Sequence, residues 1–174
     1  VDQTSTDPAW HTDTYGAYGN SGHSWWMADP AIGTNGGYLD HWYQVLDTPP
    51  IQIPAGTSTH TIAFDQKRAI ENLCTGASCP DCSPGVVYDG WDAFNIRISS
   101  DGGETWDLLE DPNNPYHCEC GYGWIWNDGA YEDRQPLNHL APGWGGSSTS
   151  GLGDGWFDFS ADLSAYADSE VIIR

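Results

Sequence analysis

The stretch Tyr88–Trp106, YDGWDAFNIRISSDGGETW, constrains the fold of this chain more than any other. Phe94, Ile96 and Ile98 alternate with Asn95, Arg97 and Ser99, and a period of two belongs to a strand with one face in a core and the other in water. Ser100-Asp101-Gly102-Gly103 follows and supplies the positive φ angles that a tight hairpin needs. A second short strand then opens on Trp106. A chain organised around such a hairpin is a β protein.

The flanking sequence agrees. Ser24-Trp25-Trp26-Met27-Ala28 reads as a strand before Asp29-Pro30, and Asn35-Gly36-Gly37 as a turn. Ile51 and Ile53 alternate between prolines, which belong at strand ends or edges. Thr59–Ala69 reads as a strand in which Thr61, Ala63 and Asp65 share one face. Ile62 and Phe64 interrupt that alternation, as in a strand buried on both faces over part of its length. Residues 71–86 form a Cys-, Pro- and Gly-rich loop. Residues 110–155 are mostly loop, with a strand candidate at Tyr122–Trp126 and a Gly/Ser patch at 143–153. Gly155–Phe159 and Glu170–Arg174 are the last strands. No amphipathic helix period and no internal repeat is present. Many short strands between Gly/Pro turns predict an all-β, two-sheet antiparallel jelly-roll sandwich. The length of 174 residues suits one domain spanning 1–174.

Charge narrows the partners. Asp and Glu number 25 against 5 Lys and Arg, a net charge of −20. That balance excludes nucleic acid and anionic membrane surfaces, which are recognised through Lys and Arg. It fits a solvated acidic surface with a minority of carboxylates on cations. No run of about 18 apolar residues is present to span a membrane. Val1-Asp2-Gln3-Thr4 has neither the basic nor the apolar region of a signal peptide. Val171-Ile172-Ile173-Arg174 reads as a strand cut in mid-run, so the chain is expected to be one module of a longer polypeptide.

The five cysteines form two clusters, Cys74, Cys79 and Cys82 and then Cys118 and Cys120. Two disulfides between the clusters would staple two loops and imply an oxidising, extracellular compartment. A zinc site of Cys79, Cys82, Cys118 and Cys120 with His117 nearby is the alternative, although the spacing is irregular for a ribbon. Free thiols are the third possibility.

The segments GHSWWMADP (22–30), VLDTPPIQIP (45–54), HTIAFDQKRAIEN (60–72), YDGWDAFNIRISSDGGETW (88–106) and WFDFSADLSAYADSEVIIR (156–174) together resemble a known group. They are similar to the MAM-like jelly-roll domains beside immune-inhibitor-A-type secreted metallopeptidases. They also resemble the cleaved-adhesin and choice-of-anchor-J domains of bacterial surface proteins. The resemblance covers residues 22–174 and rests on ISSDGGETW combined with DLSAYADSEVIIR. It implies a calcium-bound, extracellular jelly roll with an accessory or adhesive role. The chain departs from the pattern at Asp168, where the group has Gly, and in its 74–82 and 110–150 insertions. The group's late Asp, on a strand after Arg174, is missing. No HExxH zincin motif is present.

Calcium takes six to eight oxygen ligands from loop carboxylates and carbonyls. Glu71, Asp89 and Asp92 bracket the entry to the central strand, where the resembled group places acids, and Asp29 and Asp40 are the further candidates. Tyr122, Trp124, Trp126, Tyr131 and Trp144 lie in the long loop region as a candidate sugar-stacking patch. Trp25, Trp42, Trp91, Trp106 and Trp156 read as core or rim packing. Glu110, Asp111, Glu132 and Asp133 form no recognisable pair of catalytic carboxylates, and no nucleophile elbow occurs. The expected function is a non-catalytic extracellular adhesion or accessory module. It would contact other domains of a longer chain, and glycans or surface proteins. The alternatives are a carbohydrate-binding module and a subunit of an extracellular filament or layer.

Overall fold

The computed structural model describes residues 10–20, 22–33, 36–38, 44–56, 58–74, 89–90, 92–118, 142–146 and 155–174. Their regular structure is short strands plus 3₁₀ turns at Tyr18–Asn20 and Ser164–Tyr166, and every strand pairing is antiparallel. The protein is all-β. The chain, read from sequence as one domain, divides into two compact units, Val1–Leu46 and Asp47–Arg174.

The first unit is a hairpin of β1 (Trp10–Asp13) and β2 (Ser24–Met27). Beyond it, Asp29 and Gly37 exchange main-chain hydrogen bonds of 2.7 and 3.0 Å. Gly36 sits at φ 79° against Trp26, where a Cβ would lie 2.5 Å from the indole ring, so both its conformation and its close approach demand glycine.

In the second unit, β3 (Ile51–Gln52), β10 (Glu170–Ile173), β7 (Arg97–Ser99) and β8 (Asp107–Leu108) form one sheet in the order β3-β10-β7-β8. β4 (Thr61–Gln66) pairs with β9 (Phe157–Asp162), and β5 (Leu73–Cys74) with β6 (Asp89–Gly90). Ile53, just after β3, and Ile98, Val171 and Ile173 of this sheet meet Phe159 and Ala161 of β9 in one core. Trp144 is fully buried in that core, with its ring 4.4 Å from Tyr116 and 5.2 Å from Phe94.

β9 shows why its sequence makes a strand: Phe157, Phe159 and Ala161 are buried while Asp158 and Asp162 are exposed. β4 corrects one expectation. It alternates throughout, with Ile62, Phe64 and Gln66 turned inward and Thr61, Ala63 and Asp65 outward, so it is not buried on both faces. β7 corrects another. Its supposed water-facing residues Arg97 and Ser99 are only 2 % and 1 % exposed. The strand lies between β10 and β8, and its second face is covered. There Arg174 and Arg97 exchange main-chain bonds of 2.8 Å. The Arg174 guanidinium stands 4.0 Å over the Trp106 ring and grips both Asp47 oxygens at 2.8 Å. Such a planar cation on an indole, paired bidentately, roofs a sheet with little exposed apolar surface.

The turn after β7 closes on itself. Ser99 Oγ donates to Asp101 Oδ1 at 2.7 Å and accepts the Gly103 amide at 2.8 Å. Asp101 also accepts the Thr105 amide at 2.9 Å and the Thr105 hydroxyl at 2.5 Å. Trp106 Nε1 donates to the Gly103 carbonyl at 3.0 Å. The DGG-x-TW segment is therefore a structural motif, with the side chains of Ser99, Asp101, Thr105 and Trp106 bonded within the hairpin itself.

Candidate functional site

The hairpin of the first unit carries the exposed aromatics. Register sets Thr12 opposite Trp25 on one face and His11 opposite Trp26 on the other. Adjacent strand residues point to opposite faces. Trp26 is therefore packed, with His11 5.4 Å away edge-on and Tyr15 5.1 Å away, while Trp25 is 59 % exposed. Tyr15 and Tyr18 are exposed at 52 % and 54 %. Their loop is held by side chains: Asp13 Oδ1 accepts the Tyr15 amide at 2.6 Å, and Ser24 Oγ accepts the Tyr18 amide at 3.2 Å. His11 Nε2 lies 3.8 Å from Asp13 Oδ2. The result is a small scaffold that presents flat rings beside a hydroxyl and a carboxylate. That is the chemistry of stacking and hydrogen bonding.

Trp25 overturns its reading as core or rim. The doublet Trp25-Trp26 within one predicted strand is the signal for this exposure, because a two-stranded hairpin has too little body to bury both rings. Trp106 is buried as read, at 2 % exposure, and Trp156 is partly buried. Trp42 and Trp91 lie outside the described residues.

The loop patch read from sequence does not include Trp144. That residue is fully buried, its Nε1 donating to the Pro115 carbonyl at 3.2 Å, and it serves the core instead of a ligand surface. Phe94 and Trp144 exchange main-chain bonds of 3.0 and 2.8 Å, which draws the end of the long loop region into the core. Tyr122, Trp124, Trp126 and Tyr131 lie outside the described residues.

Of the expected metal ligands, Asp89 lies in β6, while Glu71 and Asp92 lie in sequence just outside the β5–β6 ladder. Asp89 pairs with Cys74 in that ladder, and the Glu71 carbonyl accepts the Gly146 amide at 2.8 Å. Asp29 belongs to the other unit, where its Oδ1 accepts the Ala31 amide at 2.8 Å. Asp40 lies outside the described residues. Among the described residues, no three His, Cys, Asp or Glu side chains come together as a metal site. Cys118 is buried and its backbone bridges Gly143. Cys79, Cys82 and Cys120, and the Cys74 side chain, lie outside the description, and with them the disulfide and zinc readings.

Asp111, read as a loop acid, is a buried strut. Its carboxylate accepts the Asn113 amide at 2.8 Å and the Ser160 amide of β9 at 2.9 Å. Tyr116, unnoticed in the sequence, joins β7 to the chain beyond β8. Its hydroxyl accepts the Ile96 amide at 3.0 Å and donates to the Leu109 carbonyl at 2.6 Å, and burial raises its pKa. His117 Nε2 donates to the Gly145 carbonyl at 3.2 Å, which Arg68 Nε also approaches at 3.3 Å. Burial and then Arg68 push the His117 pKa down, against the opposing pull of that hydrogen bond.

Ser164, His60 and Asp162 also cluster, but in an order unsuited to nucleophilic catalysis. Ser164 Oγ donates straight to Asp162 Oδ1 at 2.5 Å, and it is the His60 main-chain amide that donates to Ser164 Oγ, at 3.2 Å. No imidazole stands between hydroxyl and carboxylate, as a relay requires. The Ser164 amide donates to Asp162 Oδ1 at 2.8 Å, which makes the group an Asx turn leading into the 3₁₀ turn.

No protein-family model matches this chain, and no curated protein or solved structure matches it.

Proposed function

We propose that this chain is a non-catalytic recognition module of an extracellular protein, which engages its target through the aromatic hairpin. One observation carries the reading: Trp25, Tyr15 and Tyr18 are more than half exposed on a loop and strand pinned by Asp13 and Ser24. Exposed aromatics held in place lose little conformational entropy on contact, and covering one contributes on the order of 2 kcal/mol. The jelly-roll topology, extracellular location and adhesive role belong to the same proposal and rest on the resemblance of residues 22–174.

Carbohydrate is the second reading, favoured by Trp25 standing directly across from Thr12. An open indole face beside a hydroxyl suits a sugar ring. The test is binding of the intact protein to a panel of polysaccharides and of extracellular surface proteins, for wild type and for Trp25→Ala. The variant should lose at least about tenfold in affinity for its target with an unchanged thermal midpoint. Binding of Trp25→Ala equal to wild type across the panel would remove the hairpin from the contact.

Calcium stabilisation is proposed at the end of the β5–β6 ladder. A ligand bound only by the native state raises the unfolding midpoint by mass action. The midpoint is expected to rise with excess calcium over EGTA, and Asp92→Asn to abolish most of that rise. Equal midpoints with calcium and with EGTA would refute it.

A further inference from the structure

Two strand edges border one groove in the 47–174 unit. β3 is an edge strand of its sheet, and β4 pairs with β9 alone among the described residues. The groove, about 500 Å³, is lined by Ile51, Ile53, His60, Ile62, Ala63 and Leu163 among others, and no Asp, Glu, Lys or Arg lines it. Ile51 is 39 % exposed there. The His60 Nε2 atom is buried with no hydrogen-bond partner.

The two edges differ in what they can accept. Pro50 and Pro54 flank β3, and prolines blunt an edge against added strands. β4 has no such guard. The Leu163 amide donates to the His60 carbonyl at 2.7 Å, which sets the phase of the ladder. Ile62, Phe64 and Gln66 then bond toward β9, and the main-chain N–H and C=O groups of Thr61, Ala63 and Asp65 point away from it, to the open edge. On the outer face of this sheet Asp65 stands directly opposite Asp158, and Asp162 opposite Thr61, all of them exposed. Like charges directly opposite each other are unfavourable, and a cation placed beside them relieves the repulsion.

We propose that the open edge of β4 accepts an extended segment of another protein in which apolar residues alternate with Lys or Arg. Such a strand adds to β4 through the main chain. Its apolar side chains enter the groove over Ile53, Ile62 and Leu163, and a polar atom of the segment can meet His60 Nε2. Its cationic side chains fall on the outer face beside Asp65 and Asp158. A second copy of this chain is a poor occupant, because both copies carry a net charge of −20.

The probe is a short fluorescein-labelled peptide of alternating Val and Lys, titrated by anisotropy against the intact protein. Saturable binding is expected. It should weaken at least about tenfold, the equivalent of 1.4 kcal/mol, for three changes: Glu in place of the peptide's Lys, N-methylation of one alternate set of its amides, and the double variant Asp65→Asn/Asp158→Asn. Ala63→Pro should block binding while leaving the thermal midpoint near wild type, since the lost N–H faces the open edge. If Ala63→Pro fails to fold, the N-methylated peptides still decide the matter without altering the protein. Absence of saturable binding would overturn the proposal. So would undiminished binding of both N-methylated sets, or equal binding of a peptide with its Lys and Val residues in separate blocks, which would reduce the effect to charge attraction.

Discussion

Tyr116 and Asp101 show how single polar groups hold this β fold together. The Tyr116 hydroxyl bonds both Ile96 and Leu109. Tyr116→Phe leaves the Ile96 amide without that acceptor, which costs about 1–3 kcal/mol; urea unfolding of the variant should show a lower midpoint at unchanged slope. Asp101 works in water, where the Thr105 hydroxyl and amide, then Ser99, lower its pKa from 3.8 to about 2. A depressed carboxylate stabilises the fold above its unfolded value and ceases to do so as pH falls through its folded value. Asp101→Asn should therefore lower the thermal midpoint at neutral pH, with the gap from wild type closing as pH falls from 3.8 toward about 2. A gap that stays constant across that window would show that the carboxylate charge is irrelevant to the turn.

At the scale of elements, the link between the Ser164–Tyr166 turn and β10 is instructive. The resembled group has Gly where this chain has Asp168, and Asp168 adopts the left-handed conformation, φ 64°. Its amide donates to the Ile53 carbonyl at 3.1 Å, so the strained residue also anchors β3. Asp tolerates this region better than most residues, but Gly adopts it freely. Asp168→Gly should raise stability by up to about 1 kcal/mol, read as a higher thermal midpoint; a lower midpoint would mean that the carboxylate makes a contribution larger than the strain. Strand existence was legible in the alternation of Phe94, Ile96 and Ile98 and in the apolar run Val171–Ile173, while the strand read at Gly155–Phe159 lies at Phe157–Asp162. The burial of Arg97 and Ser99 was not, because periodicity describes one strand and does not report what packs on its second face.

At the scale of the whole molecule, every residue of the core cluster, from Ile53 to Ile173, lies in the Asp47–Arg174 unit. Residues 47–174 expressed alone should unfold cooperatively, monitored by circular dichroism and tryptophan fluorescence. A non-cooperative, gradual loss of signal would show that the first 46 residues complete the core. The long loop region contributes to that core through Trp144, whose partners Phe94, Tyr116 and Phe159 come from three separate stretches of chain. Its role was therefore hidden in a Gly-rich sequence that reads as loop.

The sequence by itself determined the all-β class, the strand–turn–strand chemistry of Arg97–Leu108, the prolines that guard β3 and the acidic surface charge. These follow from local stereochemistry and composition, which act within a few residues. Only the tertiary structure decided which tryptophan is exposed and which is buried. It also decided that Asp111 braces β9 and that Asp65 faces Asp158 across a ladder with an open edge. Those outcomes depend on register and on what packs against each face, and both are set by parts of the chain far apart in sequence.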